Sequence, residues 1–203
     1  MKFFTADTHF FHEDLLGNND FAPRPFKNVA EMNQVMVTNW NRVVKEQDVV
    51  YHLGDIAMHP AYEKGYPEIL ELLAGLNGQI HFVKGNHDNR AFFKYLAAND
   101  PGTATAGIPK FFFHDVGVLL KFDHHQYYLT HYPMLLGITK NIRNLHGHIH
   151  HASVPIKEDI NVGVDAPELG YLPKPQPFGT PISENQIGLI AEAKAAELAK
   201  LRM

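Results

Sequence analysis

The chain has no cysteine among its 203 residues, so disulfide bonds and thiolate catalysis are both excluded. It also lacks any apolar stretch close to the roughly 20 residues that a membrane-spanning helix needs. A carboxylate already follows at Asp7, too early for the apolar region of a signal peptide. These absences predict a cytoplasmic protein with no membrane partner.

Excess positive charge is missing as well. The chain has 18 Lys and Arg against 22 Asp and Glu, a formal net charge of −4. Because duplex nucleic acids are bound mainly through basic surfaces, no extended duplex-binding surface is expected, whereas a small phosphoester such as a nucleotide stays open as a substrate. Histidine, by contrast, is abundant, with 14 residues in a chain that has no thiolate to bind metals.

Hydrophobic periodicity predicts one α/β domain over residues 1–203. Short apolar runs that end at polar turns predict buried strands at 2–6, 48–53 and 79–84. Helical spacing between them predicts helices at 29–44 and 69–76, and alternating strands and helices favour a largely parallel sheet. Further predicted strands form a second, mixed sheet packed on the first: 116–122, 126–130, 141–146 and 160–164.

The C-terminal part of the chain is predicted to form two appendages. Residues 166–181 contain five prolines, which favour an extended arm over a helix or a central strand. A capping-box pattern at Ser183 to Gln186 then predicts a helix over residues 183–201. Its apolar stripe indicates one buried face: Ile187, Ile190, Ala191, Ala195, Leu198 and Leu201. Three roles are open for these appendages: wrapping the sandwich, forming a homodimer contact or shaping a pocket wall.

Metal-ligand residues follow the predicted strands, where α/β sheets place their ligand sites. Asp7 and His9 follow the first strand, and His148 and His150 follow a later one. In extended chain, residues i and i+2 point to the same side, so each pair can converge on one site. An isolated Asp-x-His is weak support, since the same pattern recurs at the predicted hairpin tip 123–125.

Three further strand ends carry the same residue types: Gly54-Asp55, Gly85-Asn86-His87-Asp88 and His131. Taken singly, each is also typical of a turn or of a polar strand terminus. Taken together, five strand ends that deliver only carboxylate, amide and imidazole groups predict a metal site.

In this order, the five motifs resemble the signature motifs of the calcineurin-like metallophosphoesterase superfamily, and they span residues 7–150. The residues around them are similar to those of small bacterial and phage phosphoesterases. The resemblance implies an α/β fold in which two mixed sheets pack face to face with helices outside, a four-layer α/β/β/α sandwich.

The resemblance also implies the roles of the site residues. One metal would be held by Asp7, His9, Asp55 and His150, and the other by Asp55, Asn86, His131 and His148, with Asp55 bridging the pair. His87 would face the substrate and stabilise the transition state or protonate the leaving oxygen. Two divalent ions are expected. The ligand mixture suits Mn, Fe, Zn, Co or Ni, and the resemblance favours Mn or Fe.

The implied reaction is hydrolysis of a phosphoester by in-line attack of a metal-bridging hydroxide. Met58 stands where the phosphoprotein phosphatase branch has an aspartate that orients its catalytic histidine. This departure disfavours a phosphoprotein substrate and favours a phosphodiesterase. The alternatives are a phosphomonoesterase or nucleotide pyrophosphatase with the same centre and, from a different class, a non-catalytic scaffold.

Other polar residues have two interpretations. Arg24 and Arg90 are candidate phosphate clamps, because guanidinium groups suit phosphate oxygens, but surface salt bridges would also explain them. His12 either reaches the substrate or pairs with Glu13. Structural roles beneath the metals are expected for His52, His146 and residues 161–165, and six histidines are interpreted as ordinary polar residues: His59, His81, His114, His124, His125 and His151.

Overall fold

The structure, a computed structural model, describes residues 1–103, 107–137 and 139–201. Within these ranges no helix is long and apolar enough to cross a membrane. The helices are α1 (Val29–Val43), α2 (Tyr66–Ala74), α3 (Arg90–Ala98) and α4 (Glu184–Lys200). The strands are β1 (Lys2–Thr5), β2 (Val49–His52), β3 (Gln79–Val83), β4 (Phe111–His114), β5 (Gly117–Phe122), β6 (His125–Thr130), β7 (Ile142–His146), β8 (Asp159–Asn161) and β9 (Ile182–Ser183).

These strands form two mixed sheets. The first has the order β4-β3-β2-β1-β9, with β1 to β4 parallel and β9 antiparallel to β1. The second has the order β5-β6-β7-β8, in which only the β5-β6 pair is antiparallel. Two mixed sheets flanked by helices confirm the predicted fold class, and each strand predicted from the apolar runs is present.

Helices α1, α2 and α3 cover one face of the first sheet. Helix α1 begins after Asn28, whose side chain accepts a bond from the Glu31 N–H, and it buries Met32, Met36 and Trp40 at the predicted helical spacing. Helix α3 and strand β4 were not predicted. Their aromatic residues complete this core: Phe92, Phe93 and Phe111.

A second core lies between the two sheets. The first sheet contributes Phe4 and Leu53 to it, and the second sheet contributes Leu129 and Leu145. The Phe4 ring stacks at 5.6 Å on the ring of Phe122 from β5. Because both sheets bury one face against the same core, the carboxyl ends of their strands are held at a fixed separation.

The proline-rich arm and α4 pack on this sandwich. A 3-10 helix, Pro167–Tyr171, interrupts the predicted extended arm, because proline is tolerated at the first position of a helix. Helix α4 has the predicted capping box at Ser183. Its predicted apolar stripe is correct for Ile187, Ile190 and Ala191 but wrong for Leu201, which is 76% exposed.

The buried face of α4 also includes a lysine that periodicity did not predict. Lys194 is 1% exposed, and its ammonium group lies 2.7 Å from the carboxylate of Glu168 in the arm. The same ammonium donates to the Asp159 carbonyl at 2.6 Å. A buried ion pair therefore joins the arm, α4 and β8, so both appendages pack on the sandwich. A homodimer contact through them stays a prediction.

The stability of the protein is expected to depend on pH through His52, the last residue of β2. Burial lowers the pKa of His52 from 6.5 to about 3. Between these values the unfolded chain binds more protons here than the folded chain, so the free energy of unfolding falls as the pH falls. In urea unfolding with a chelator, the stability difference between wild type and His52→Gln should shrink by about 3 kcal/mol between pH 7.5 and pH 4.5. A difference that stays constant would contradict a neutral, buried His52.

Candidate metal centre

The predicted ligands meet where the carboxyl ends of strands from the two sheets face each other. One group consists of Asp7, His9 and His150, all buried, with one ligand atom from each within 4.8 Å of the others. Asp7 and His9 follow β1 in the first sheet, whereas His150 follows β7 in the second. The group therefore exists only because the two sheets pack together.

A second group lies beside the first. It consists of Asp55, His131 and His148, whose ligand atoms also lie within 4.8 Å of one another. The side-chain oxygen of Asn86 lies 2.8 Å from His131 Nε2 and 2.9 Å from His148 Nδ1. Two imidazoles and one amide thus lie close to the Asp55 carboxylate; their role as ligands of one metal stays a prediction.

Asp55 lies between the two groups. Its Oδ2 atom is 3.6 Å from His9 Nε2 and 3.5 Å from His131 Nε2. Its other oxygen, Oδ1, accepts a hydrogen bond from the His87 N–H at 2.9 Å. One carboxylate oxygen is therefore fixed by the backbone, and the other faces imidazole nitrogens of both groups.

The local backbone differs from the extended chain assumed in the sequence argument. Five of the predicted ligand residues have backbone angles in the left-handed region: Asp7 (φ 55°), His9 (φ 45°), Asp55 (φ 57°), His148 (φ 71°) and His150 (φ 46°). Such a conformation costs about 1 to 3 kcal/mol for a residue with a Cβ atom and is concentrated at functional sites. Convergence of the ligand residues thus results from strained turns after the strands, not from the alternation of an extended strand.

Glycine provides the close approach between strand ends. Gly54 has φ 94°, and a Cβ atom at this position would lie 2.6 Å from His131 Nδ1. His131 Nδ1 instead lies 2.8 Å from the Leu53 carbonyl, to which it can donate. That bond leaves Nε2 unprotonated and facing Asn86 and Asp55, the tautomer that a metal ligand requires.

The protonation behaviour of the first group fits a bound cation. Burial lowers the pKa of His9 well below its ordinary value, so the imidazole is neutral. His9 Nε2 is buried and has no hydrogen-bond partner among the described residues. Burial also raises the pKa of Asp7 well above its ordinary value. An unpaired imidazole nitrogen beside a costly buried carboxylate is satisfied by a divalent cation, so these residues fit the metal that the sequence implied.

Burial similarly lowers the pKa values of His131 and His148 in the second group. Both imidazoles are therefore neutral around pH 7 and can act as ligands. Behind them, the buried Asp88 carboxylate accepts hydrogen bonds from the N–H groups of Gly85, Asp55 and Ile56. Asp88 thereby ties the turn after β2 to the turn after β3.

Asp165 and Arg24 support the first group from behind. Burial disfavours the ionised form of Asp165, but hydrogen bonds from His150 and Arg24 outweigh it and hold the pKa of that carboxyl below its ordinary value. His150 Nδ1 lies 3.2 Å from Asp165 Oδ2, which orients the imidazole. The expected structural role of residues 161–165 is thus seen in Asp165.

The prediction that Arg24 clamps a substrate phosphate is wrong. Its side chain is completely buried, and its guanidinium donates to Asp165 at 2.7 Å and to the carbonyls of Asp7 and Thr8, also at 2.7 Å. All of these partners belong to the protein. Arg24 therefore holds the strained turn that carries Asp7 and His9 and has no free donor face for a substrate.

His87 and His12 lie at the open side of the two groups. The His87 ring is exposed, and its centre is 5.2 Å from the ring of His9 and 6.2 Å from the ring of His12. His12 Nδ1 is 3.2 Å from His9 Nδ1, and His12 Nε2 is 3.9 Å from an Asp14 oxygen. The predicted alternative pairing of His12 with Glu13 is wrong, since Asp14 takes that place.

Arg90 is the first residue of α3, three positions after His87. It is exposed and has no ion pair within the described part of the chain. Its role in binding phosphate stays a prediction.

Two exposed aromatic residues at the site were missed by the sequence argument. The Tyr132 ring is 4.5 Å from His148, and the Phe21 ring is 4.3 Å from His150. Tyr132 directly follows the predicted ligand His131, so its position in the sequence offered a signal, whereas nothing in the sequence marked Phe21.

Comparisons with known proteins agree with this site. The sequence model of the calcineurin-like phosphoesterases matches residues 3–174. An uncharacterized protein of Methanocaldococcus jannaschii is 34% identical over 146 residues, which cover 68% of this chain and 76% of that protein. The gene 66 protein of Mycobacterium phage L5 is 26% identical over 188 residues, covering 80% of this chain and 86% of the phage protein.

A solved structure shows the same likeness. The crystal structure of a protein of unknown function from Aquifex aeolicus has a TM-score of 0.63 and 26% identity, with 93% of this chain and 97% of that chain covered. The fold and the paired ligand groups define a metal-dependent hydrolase. The chain belongs to the calcineurin-like phosphoesterases, a family of such hydrolases that cleave phosphoric ester bonds.

Separate substitutions of Arg24 and Arg90 should show that the buried Arg24 stabilises the fold and that the exposed Arg90 does not. Arg24→Ala is expected to lower the free energy of unfolding by about 3 to 5 kcal/mol, because it leaves the buried Asp165 carboxylate unpaired. Arg90→Ala should change it by less than about 0.5 kcal/mol, because the side chain is exposed. Urea unfolding of both variants measures the difference. Equal effects of the two substitutions would contradict the structural role of Arg24.

Proposed function

We propose that the protein is a phosphodiesterase with two divalent metal ions at this centre. The observation that carries the proposal is the position of Asp55, whose Oδ2 lies within 3.6 Å of imidazole nitrogens from both ligand groups. A single carboxylate shared in this way suits two adjacent cations. Each group alone would suit only one.

The ligand sets follow from the two groups. Asp7, His9, Asp55 and His150 would hold one ion, and Asp55, Asn86, His131 and His148 the other. The mixed oxygen and nitrogen donors suit Mn or Fe, with Zn, Ni or Co as alternatives. When bound, a pair of divalent ions supplies a water of lowered pKa as the nucleophile and offsets the charge of the phosphoryl oxygens.

His87 is proposed as the catalytic residue that assists the leaving group. Its backbone N–H is anchored on Asp55 Oδ1, so the side chain has a fixed origin beside the ligand groups. Its ring nitrogens have no hydrogen-bond partner among the described residues, and the ring is exposed. The imidazole is therefore free to donate a proton to the oxygen that leaves on the side opposite the nucleophile.

A diester is favoured over a monoester by the balance of charge. Two divalent cations, the carboxylates of Asp7 and Asp55 and one hydroxide as the nucleophile would together leave a single positive charge, which matches a monoanionic diester better than a dianionic monoester. Arg24, the buried arginine nearest to Asp7, is committed to Asp165 and to backbone carbonyls and adds no binding for a second phosphate charge. A nucleotide stays within the proposed substrate class.

The proposed reaction predicts a preference that initial rates can measure. With added Mn²⁺, bis-p-nitrophenyl phosphate should be hydrolysed faster than p-nitrophenyl phosphate, and a chelator should abolish both rates. Faster hydrolysis of the monoester would make the protein a phosphomonoesterase instead. Absence of turnover on either compound with every metal offered would contradict the enzymatic proposal and favour a scaffold.

Replacement of His87 should separate catalysis from metal binding. His87→Ala is expected to lower kcat for the diester by about 100-fold or more, since general acid catalysis typically contributes at least that factor. The metal content measured by elemental analysis should not change, because the side chain is not a proposed ligand. His124→Ala, at the exposed turn between β5 and β6, is the matched control. Full activity of His87→Ala would refute the proposed role.

A further inference from the structure

A cavity of about 600 Å³ opens directly beside the candidate metal centre. One wall is the turn after β2 with the 3-10 helix Tyr62–Gly65, and the other is formed by the first turns of α2 and α3. Its volume lies within the range of small-molecule binding sites. The residues that matter for its chemistry are Met58, Tyr62, Tyr66, His87, Asn89 and Phe92.

The cavity is continuous with the metal centre through His87. This side chain lines the cavity, and its ring centre is 5.2 Å from the ring of the proposed ligand His9. A phosphoryl group held by the ligand groups, with its leaving oxygen near His87, would therefore direct the leaving substituent into this space. This placement rests on the proposed function of His87.

The lining combines aromatic and apolar side chains with one amide, Asn89, and four ionisable side chains: His59, Glu63, Lys64 and His87. The rings of Tyr66 and Phe92 are 5.2 Å apart, and Tyr62 stands 80% exposed at the rim. Asn89 Oδ1 accepts bonds from the Phe92 N–H at 2.8 Å and from the Tyr66 hydroxyl at 3.2 Å. Its Nδ2 donors have no partner within the described ranges, so they can reach an acceptor on a ligand.

Hydrogen bonds within the protein hold the cavity wall in place. His59 Nδ1 accepts a bond from the Ala61 N–H at 3.0 Å, and His59 Nε2 lies 2.9 Å from the Glu68 carboxylate on α2. The Met58 N–H donates to the Phe10 carbonyl at 2.8 Å. His59, interpreted from the sequence as an ordinary polar residue, therefore ties the turn after β2 to α2 and keeps the cavity open.

We propose that this cavity binds a planar heteroaromatic ring carried by the leaving group of the substrate, as in a nucleoside. Aromatic side chains stack on a planar base whatever its identity. The free Asn89 amide can donate a hydrogen bond to a nitrogen or carbonyl group at the edge of that base. An aliphatic substituent would use the apolar surface but would leave the Asn89 donors without an acceptor. The aromatic side chains and the free Asn89 donors therefore favour a heteroaromatic base over an alkyl chain as the occupant of the cavity.

Binding can be tested apart from catalysis. Saturation-transfer NMR on the metal-free protein should show contact with the base protons of adenosine and none with methyl β-ribofuranoside. Tyr62→Ala should weaken adenosine binding by about five-fold or more, the effect of losing one stacked ring, and Tyr62→Phe should retain it. Leu119→Ala, on exposed strand β5, is the surface control and should bind adenosine as wild type does.

Hydrolysis supplies the second readout. In Tyr62→Ala, the KM for bis-p-nitrophenyl phosphate should rise by about five-fold, with a smaller change in kcat. Adenosine binding without turnover by the wild type would refute the proposed reaction but support the cavity assignment. Turnover without adenosine binding, equal binding by Tyr62→Ala, or displacement of adenosine by 1-hexanol but not by benzimidazole would overturn the cavity assignment.

Discussion

Two buried carboxylates, Asp7 and Asp55, are the constraint around which this structure is arranged. Burial, together with repulsion from Asp55, raises the pKa of Asp7 well above its ordinary value. Ionised carboxylates in such a place are costly unless cations or donors compensate them. The neutral imidazoles on either side cannot supply positive charge, and the unpartnered His9 Nε2 needs an electrophile. A bound divalent cation satisfies both requirements.

The strained turns persist because buried polar groups hold them from behind. Arg24 and Asp165 fix the turn after β1 and the ring of His150, and Asp88 joins the turns that carry Asp55 and Asn86. Several kcal/mol of backbone strain can be maintained only where the surroundings determine the conformation in this way. Stability and site geometry are therefore coupled, since the groups that hold the ligands also hold the strand ends.

The same turn after β2 serves two regions. Asp55 begins it inside the metal centre, and Met58 and His59 continue it into the neighbouring cavity. His87 lies between the two regions and belongs to the turn after β3. A phosphoester that spans both regions would place its phosphorus at the ligands, its leaving oxygen at His87 and its substituent in the cavity. The proposed chemistry and the proposed selectivity thus belong to adjacent parts of one structural unit.

The sequence by itself determined strands β1 to β3 and β5 to β8, helix α1 and the capping box at Ser183, because periodicity and residue type are local properties. The order of the strand-end motifs, and the family that they resemble, also predicted the residues that the structure brings together in the two groups. The sequence could not determine that Arg24 is buried against Asp165 rather than available to substrate. Nor could it determine that Lys194 lies in the core beside Glu168. In each pair the partner is more than 20 residues away in the chain. The left-handed turns, the grouping of His150 with Asp7 and the cavity beside His87 were likewise decided by the tertiary structure. They arise only when two sheets pack and bring distant strand ends within hydrogen-bonding distance.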